Sequence, residues 1–253
     1  MIGWQIFRHS LSMVLRNFGR ALHIYAVPWL IAVAAVFLVV LAAGLPFDML
    51  GGGVAEPVDA STAKLVLVFF AMFVIIVLTS LWIAVAWHRY VLLEETPQGV
   101  MPPIHQDRIA AYFGRGLLLF LAFLIPGAIL AFLIATLVQI SVGSAIFFGA
   151  ILGFALAVLF YRLSVILPAA ALGKKMSFSD ALETTKGATG PIVVAGICFL
   201  ILQIVTNFAA SLLAFIPLVG FLASILTAMF LTMVGISILT TLYGVYVEKR
   251  ELS

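Results

Sequence analysis

Residues 117–161 read LLLFLAFLIPGAILAFLIATLVQISVGSAIFFGAILGFALAVLFY, a stretch without a charged side chain. A helix needs roughly 20 apolar residues to cross a hydrocarbon core about 30 Å thick, and it satisfies its own backbone polar groups there. The stretch holds two such segments, 117–138 and 142–161, separated by a short turn at 139–141. It therefore predicts a protein that crosses a bilayer.

The composition of the whole chain agrees with a membrane protein. Of its 253 residues, 65% are hydrophobic and 9% charged, whereas soluble domains carry about 25% charged residues. The length suits a single membrane domain over residues 1–253. The net charge of +3 comes without a basic run, so no nucleic-acid partner is expected. A single cysteine, Cys198, excludes an internal disulfide.

Six segments are long and apolar enough to cross the membrane. The sequence therefore predicts an all-α, polytopic transmembrane bundle of six spans, arranged as three helical hairpins that are each preceded by a cytoplasmic amphipathic helix. The turns of the second and third hairpins fall at 139–141 and 216–220. The spans are 24–43, 65–87, 117–138, 142–161, 192–213 and 221–243.

The distribution of basic residues predicts the orientation. Of the 13 Lys and Arg residues, only Lys64 falls on the side opposite the termini, in a loop that also carries Asp48, Glu56 and Asp59. Because basic loops stay in the cytoplasm, both termini are expected there. The first span follows Arg8, Arg16 and Arg20 like a signal peptide, but its length favours a retained helix over the 7–15 residues of a signal core.

Three units of related design cover residues 1–95, 104–172 and 177–250. In the first two units the amphipathic segment joins its span at Phe18-Gly19-Arg20 and Phe113-Gly114-Arg115. The pattern fits a structural repeat. It also fits the ordinary enrichment of aromatic and basic residues at membrane boundaries, so both interpretations stay open.

The N-terminal segment predicts an amphipathic helix. Either it lies in the inner headgroup plane, or it packs on the rest of the protein. A second short helix is expected at 177–186, where Ser177 and Asp180 have the spacing of a capping box and Gly187 suits the C-terminal end. The apolar face of the N-terminal segment holds Trp4, Phe7, Leu11, Val14, Leu15, Phe18 and Leu22, and the polar face Gln5, His9, Ser12, Arg16 and Arg20.

Uncharged polar residues mark one face of the fifth span, namely Gln203, Thr206, Asn207 and Ser211. Such residues commonly hydrogen-bond a neighbouring helix, and Ser224, Thr227 and Thr232 of the sixth span are candidate partners. The alternative is a polar cavity on the path of a small, weakly polar solute.

Small residues recur every four positions on the fourth span, at Ala145, Gly149, Gly153 and Ala157. They allow the backbone of another helix to approach closely. The pattern predicts a packing surface, either within the monomer or between subunits.

Basic residues at the predicted inner boundary, namely Arg16, Arg20, Arg89, Arg115 and Arg162, are expected to contact lipid headgroups. Charged groups that mark transport or proton relays are almost absent from the spans. The histidines lack metal-ligand spacing and are expected at the interface. No metal site, cofactor or catalytic motif is therefore predicted.

The stretch 162–187, RLSVILPAAALGKKMSFSDALETTKG, resembles the central signature of uncharacterised bacterial inner-membrane proteins. These include the YciC-like family and the membrane domain fused to some glycerophosphodiester phosphodiesterases. The resemblance is specific over 162–190 and extends loosely over the six spans. It implies a bacterial inner-membrane location. The catalytic domain of those phosphodiesterases is not in this sequence, so no activity is carried over.

These observations favour a non-enzymatic inner-membrane protein that organises envelope lipids or membrane partner proteins. Membrane lipids, a second copy or another membrane protein are the expected partners. The alternative function is a transporter or channel for a small solute.

Overall fold

The computed structural model describes residues 1–46, 61–96 and 99–252. Within these residues the chain forms nine α-helices and no strand, which confirms the predicted all-α class. The acidic residues predicted beside Lys64 lie outside the described residues. The helices are α1 (Ile2–Arg16), α2 (Phe18–Ala42), α3 (Thr62–Leu93), α4 (Gln106–Ile140), α5 (Val142–Leu163), α6 (Ile166–Ala171), α7 (Phe178–Thr184), α8 (Thr189–Leu213) and α9 (Pro217–Tyr246).

As predicted, six helices among the described residues are long and apolar enough to cross a membrane: α2, α3, α4, the pair α5–α6, α8 and α9. Several extend beyond the predicted spans. The 35 residues of α4 correspond to about 52 Å of helix, which exceeds the hydrocarbon thickness of about 30 Å. The apolar stretch marks only the part of a helix inside the hydrocarbon, while the backbone hydrogen bonds continue into the interface.

The second predicted unit differs from the others, because its amphipathic segment is the first part of α4 and not a separate helix. In the first and third units, α1 and α7 are separate short helices. The three-unit repeat stays a prediction.

Consecutive spans pack against one another: α2 against α3, α4 against α5, and α8 against α9. Ser141 alone separates α4 from α5. Gly149 lies against Ile134, and Gly153 against Leu130. As one residue number rises by four the other falls by four, so α4 and α5 are antiparallel.

The buried core lies at one end of the bundle, where α3, α5 and α9 end, α4 and α8 begin, and α1 packs on α8 and α9. We call this the termini end. Trp87, Met233 and Tyr243 are fully buried here, together with Ile6 and Val14 of α1. Towards the opposite end most helix surface is apolar and exposed. Of an 18-residue apolar stretch within α4, only 6% is buried. So large an exposed apolar surface requires lipid.

The segment between α5 and α8 crosses the termini end. The predicted capping box of α7 is confirmed: Ser177 Oγ accepts a hydrogen bond from Asp180 N at 3.1 Å, and Asp180 Oδ2 accepts one from Ser177 N at 2.8 Å. The helix ends at Thr184, before the predicted 186, and Gly187 adopts a left-handed φ of 83° just beyond it. The capping box and Gly187 therefore mark the two ends of α7, which lies in the chain between the pair α5–α6 and α8.

Candidate functional site

Three of the four polar side chains predicted on the fifth span bond to their own helix, α8, while Gln203 is half-buried. Thr206 Oγ1 donates to Leu202 O at 2.8 Å, Asn207 Nδ2 donates to Gln203 O at 2.8 Å, and Ser211 Oγ donates to Phe208 O at 2.7 Å. Asn207 and Ser211 are exposed. These bonds give Thr206, Asn207 and Ser211 a partner within α8, so none of these three side chains needs an interhelical network or a water-filled path to be accommodated.

Three of the four small residues predicted as a packing surface face α4 in the same chain or are buried. Ala145 is buried, and a Cβ on Gly149 would lie 3.2 Å from Ile134 Cδ1. A Cβ on Gly153 would lie 3.8 Å from Leu130 Cδ2. Ala157 is exposed, because steps of four residues drift around a helix of 3.6 residues per turn.

The five arginines predicted to contact headgroups fall into different environments. Arg89 Nε donates to Glu95 Oε2 at 2.6 Å, and Arg162 Nη2 donates to Leu182 O at 2.8 Å, so both contact protein groups. Arg115 is half-buried. Arg16 and Arg20 are exposed and have no ion pair within the described part of the chain. These two are the arginines best placed for an external anion.

Helix α1 has three faces, and not the two predicted from sequence. Its buried face includes Gly3, Ile6, Ser10 and Val14. Gly3 permits the closest approach, because a Cβ there would lie 2.5 Å from Pro191 O of α8. The second face is polar, and the third is an exposed apolar strip. On α1 this face consists of Trp4 and Leu15, and the exposed apolar residues Phe18 and Leu22 follow at the start of α2; we call these four residues the apolar strip.

A buried polar cluster joins α1, α3, α4 and α9 at the termini end. Ser10 Oγ lies 2.8 Å from both Ile6 O and Thr241 Oγ1. On α3, Trp87 Nε1 donates to Ser237 Oγ at 2.9 Å. His88, which was expected at the interface, is fully buried, so that expectation was wrong for this histidine.

The hydrogen bonds of His88 indicate its tautomer. Thr240 Oγ1 donates to Ile236 O at 2.8 Å and therefore accepts from His88 Nδ1, also at 2.8 Å. That leaves His88 Nε2 as the acceptor for Tyr112 Oη, 3.3 Å away. A neutral ring protonated on Nδ1 satisfies every partner. The cluster therefore fixes the relative positions of four helices without a buried charge.

A cavity of about 640 Å³ lies between α2, α3 and α4. We call it the lateral groove. Its walls are almost entirely apolar, and Thr79, the one hydroxyl among them, donates to Ile75 O within its own helix. The lining residues are Pro28, Ile31, Ala32 and Ala35 from α2, Ile75, Leu78, Thr79, Leu81 and Trp82 from α3, and Ile104, Gln106, Ile109, Ala110 and Phe113.

A basic concavity of about 390 Å³ is formed where α1 meets α2. Arg16, Asn17, Gly19, Arg20 and His23 line it, and we call it the basic corner. Asn17 holds the corner in place, because Asn17 Nδ2 donates to Met13 O at 2.9 Å and Asn17 Oδ1 accepts from Tyr90 Oη at 2.9 Å.

The connection before α4 links the basic corner to the lateral groove. His23 Nε2 donates to Val100 O at 2.6 Å, and Trp82 Nε1 donates to Pro103 O at 3.2 Å. At the start of α4, His105 Nε2 lies 2.6 Å from Glu95 Oε1. Burial raises the pKa of the Glu95 carboxyl, but the hydrogen bonds from His105 and Arg89 outweigh it and hold that pKa below the usual value.

Sequence reasoning found the basic corner only as two separate arginines and missed the groove. Pro28 and Trp82 are far apart in the chain, so no local pattern brings them together. The buried cluster did leave a signal, because Ser237, Thr240 and Thr241 share one face of α9 at helical spacing.

Comparisons with protein-family models, with curated proteins and with solved structures find no match for this chain.

Proposed function

We propose that this chain is a non-enzymatic protein of the bacterial inner membrane that organises anionic lipids in the leaflet at its termini end. The observation that carries the proposal is the arrangement of α1 and the start of α2. Exposed Arg16 and Arg20 stand beside an exposed apolar strip that includes Leu15 and Phe18. Apolar side chains next to arginines are the chemistry by which a helix holds both acyl chains and phosphates at an interface.

The proposal places the termini end in the cytoplasm. Every Lys and Arg except Lys64 lies on the side of the termini, as the positive-inside rule requires of cytoplasmic segments. Reporter fusions test the orientation. A cytoplasmic reporter at residue 253 should be active, and activity only of a reporter for the external side would contradict it.

Headgroup preference tests the proposed function. The full chain is reconstituted in vesicles with trace spin-labelled phosphatidylglycerol or phosphatidylcholine, and the fraction of label immobilised at the protein is measured. We expect a larger fraction for phosphatidylglycerol, and a smaller difference at high salt because exposed charges are screened. Equal fractions for both lipids at low salt would overturn the proposal.

A charge-matched pair of variants locates the preference. The test variant carries Arg8→Gln, Arg16→Gln and Arg20→Gln. The control carries Lys175→Gln, Lys186→Gln and Lys249→Gln, which remove the same charge from exposed positions outside α1 and α2. The preference should fall in the test variant only, and an equal fall in both would show a net-charge effect that contradicts the proposed role of the α1–α2 region.

A further inference from the structure

The lateral groove has the size and chemistry of a binding site for an acyl chain. Its volume of about 640 Å³ is within the usual range for small-ligand pockets, about 300–1,000 Å³. The facing stretches of α2 (28–35) and α3 (75–82) each extend about 10 Å along the helix axis. Water would gain almost no hydrogen bonds from these walls, whereas hydrocarbon fits them.

The basic corner and the lateral groove share helix α2, and the corner's residues precede those of the groove along it. Pro28, where the groove begins on α2, follows His23 by five residues, which is about 7.5 Å along the axis. Arg16 and Arg20 lie further towards the termini end. A molecule whose apolar part occupies the groove would therefore place its polar part near these two arginines.

The connection before α4 is hydrogen-bonded to a residue of each site. Val100 and Pro103 are tied to His23 of the corner and to Trp82 of the groove, respectively. Gln106 lines the groove just beyond this connection. Its carboxamide supplies polar atoms to a lining that is otherwise almost entirely apolar.

We propose that the lateral groove and the basic corner together form a binding site for one acidic phospholipid, with an acyl chain between α2, α3 and α4 and the phosphate at Arg16 and Arg20. Charge complementarity selects this occupant, because neither arginine has an ion pair among the described residues. The inference rests on the proposed function and adds a defined site to it.

Quenching of Trp82 fluorescence by brominated lipids reports on the groove directly. Trp4 and Trp29 are exposed and are replaced by Phe, while Trp87 is fully buried and stays as a constant background. The full chain is placed in phosphatidylcholine vesicles that contain a minor fraction of phosphatidylglycerol. Either the first or the second lipid carries bromine on its acyl chains. Per brominated molecule, phosphatidylglycerol should quench Trp82 more strongly.

Two variants test the two parts of the site. Arg16→Gln with Arg20→Gln should lower the preference for phosphatidylglycerol on the order of tenfold, as expected for two basic residues at an anionic surface. Lys175→Gln with Lys186→Gln is the control of equal charge. Ala35→Phe fills the groove and should reduce quenching by both lipids. Ala34→Phe, at an exposed position outside the groove, should not.

The outcomes separate the site from the general function. If the two brominated lipids quench Trp82 equally while spin-label selectivity persists, the site is overturned and the proposed function stands. Loss of spin-label selectivity in the unmodified chain overturns both. If the shielding of Trp82 from both brominated lipids increases with the density of protein in the membrane, a second copy of the chain occupies the groove. This result too would overturn the lipid site.

Discussion

The indole of Trp87 on α3 donates a hydrogen bond to the hydroxyl of Ser237 on α9, 2.9 Å away, where both side chains are fully buried. The same serine donates to Met233 O at 2.7 Å, so its hydroxyl serves as donor and acceptor at once. Ser10 of α1 reaches Thr241 one turn further along α9. Spans that are distant in sequence are therefore joined by polar contacts at the termini end, where the core is densest.

Ser237→Ala should lower the free energy of unfolding by about 1 kcal/mol, because the buried indole N–H loses its acceptor. The measurement is unfolding by titration with a denaturing detergent, followed by circular dichroism. Ser224→Ala is the matched control, since among the described residues Ser224 bonds only to Gly220 O of its own helix. An equal loss of stability in both variants would contradict an interhelical role for Ser237.

Gly3→Ala should destabilise the contact between α1 and α8, because the new methyl group would meet the Pro191 carbonyl and Val194 Cβ. Overpacking of this kind costs about 1–3 kcal/mol. Gly19→Ala is the control, as a Cβ there meets nothing within 4 Å. Hydrogen exchange of the α1 amides should rise in the first variant and not in the second. Unchanged exchange in both would mean that α1 does not depend on this close approach.

The Glu95 carboxylate makes the anchoring of the connection before α4 dependent on pH. Its pKa is lower in the folded chain than the usual 4.5, so its contribution to stability is complete above pH 4.5 and is lost as the pH falls through the lowered value. Below that value the carboxyl is protonated and no longer pairs with Arg89 and His105. Exchange of the amides between 99 and 105 should therefore accelerate at acid pH.

Glu95→Gln isolates this effect. It should raise amide hydrogen exchange in the connection before α4 at neutral pH. It should also abolish the acceleration at acid pH, which we call the acid step, because the neutral amide of Gln does not titrate. Asp107→Asn makes the same chemical change at an exposed carboxylate whose one ion pair within residues 1–46, 61–96 and 99–252 is with Arg108. It should keep the step. A step that survives Glu95→Gln would have to come from another group.

Lipid as a solvent explains why the spans could be predicted from composition. A span must be predominantly apolar over about 20 consecutive residues to stay in hydrocarbon, so the requirement is visible directly in the sequence, as in residues 117–138. The capping box of α7 was also predictable, because Ser177 and Asp180 interact over three residues.

Long-range contacts explain what the sequence did not reveal. Burial of His88 depends on Thr240 and Tyr112, which come from two other helices. The buried face of α1 includes Gly3 and Ser10, although the first is small and the second is polar, and the apolar residues of α1 are therefore divided between a buried and an exposed face. A hydrophobicity pattern assigns such residues to the outside, while a partner helix of suitable shape places them inside.

Gly149→Leu should disrupt the packing of α4 on α5, because its side chain would occupy the space of Ile134, which lies 3.2 Å from the position of a Cβ. The expected loss of stability is about 1–3 kcal/mol. Ala157→Leu, on the exposed part of the same small-residue series, should change it by no more than about 0.5 kcal/mol.

Ile134→Ala then distinguishes packing within the chain from packing between copies. In Gly149→Leu with Ile134→Ala, the removed side chain makes room for the added one, so stability should recover relative to Gly149→Leu alone. The coupling between the two substitutions should be the same at all protein concentrations, because both helices belong to one chain. Coupling that appears only at high protein density would instead assign the glycine face to a contact between two copies.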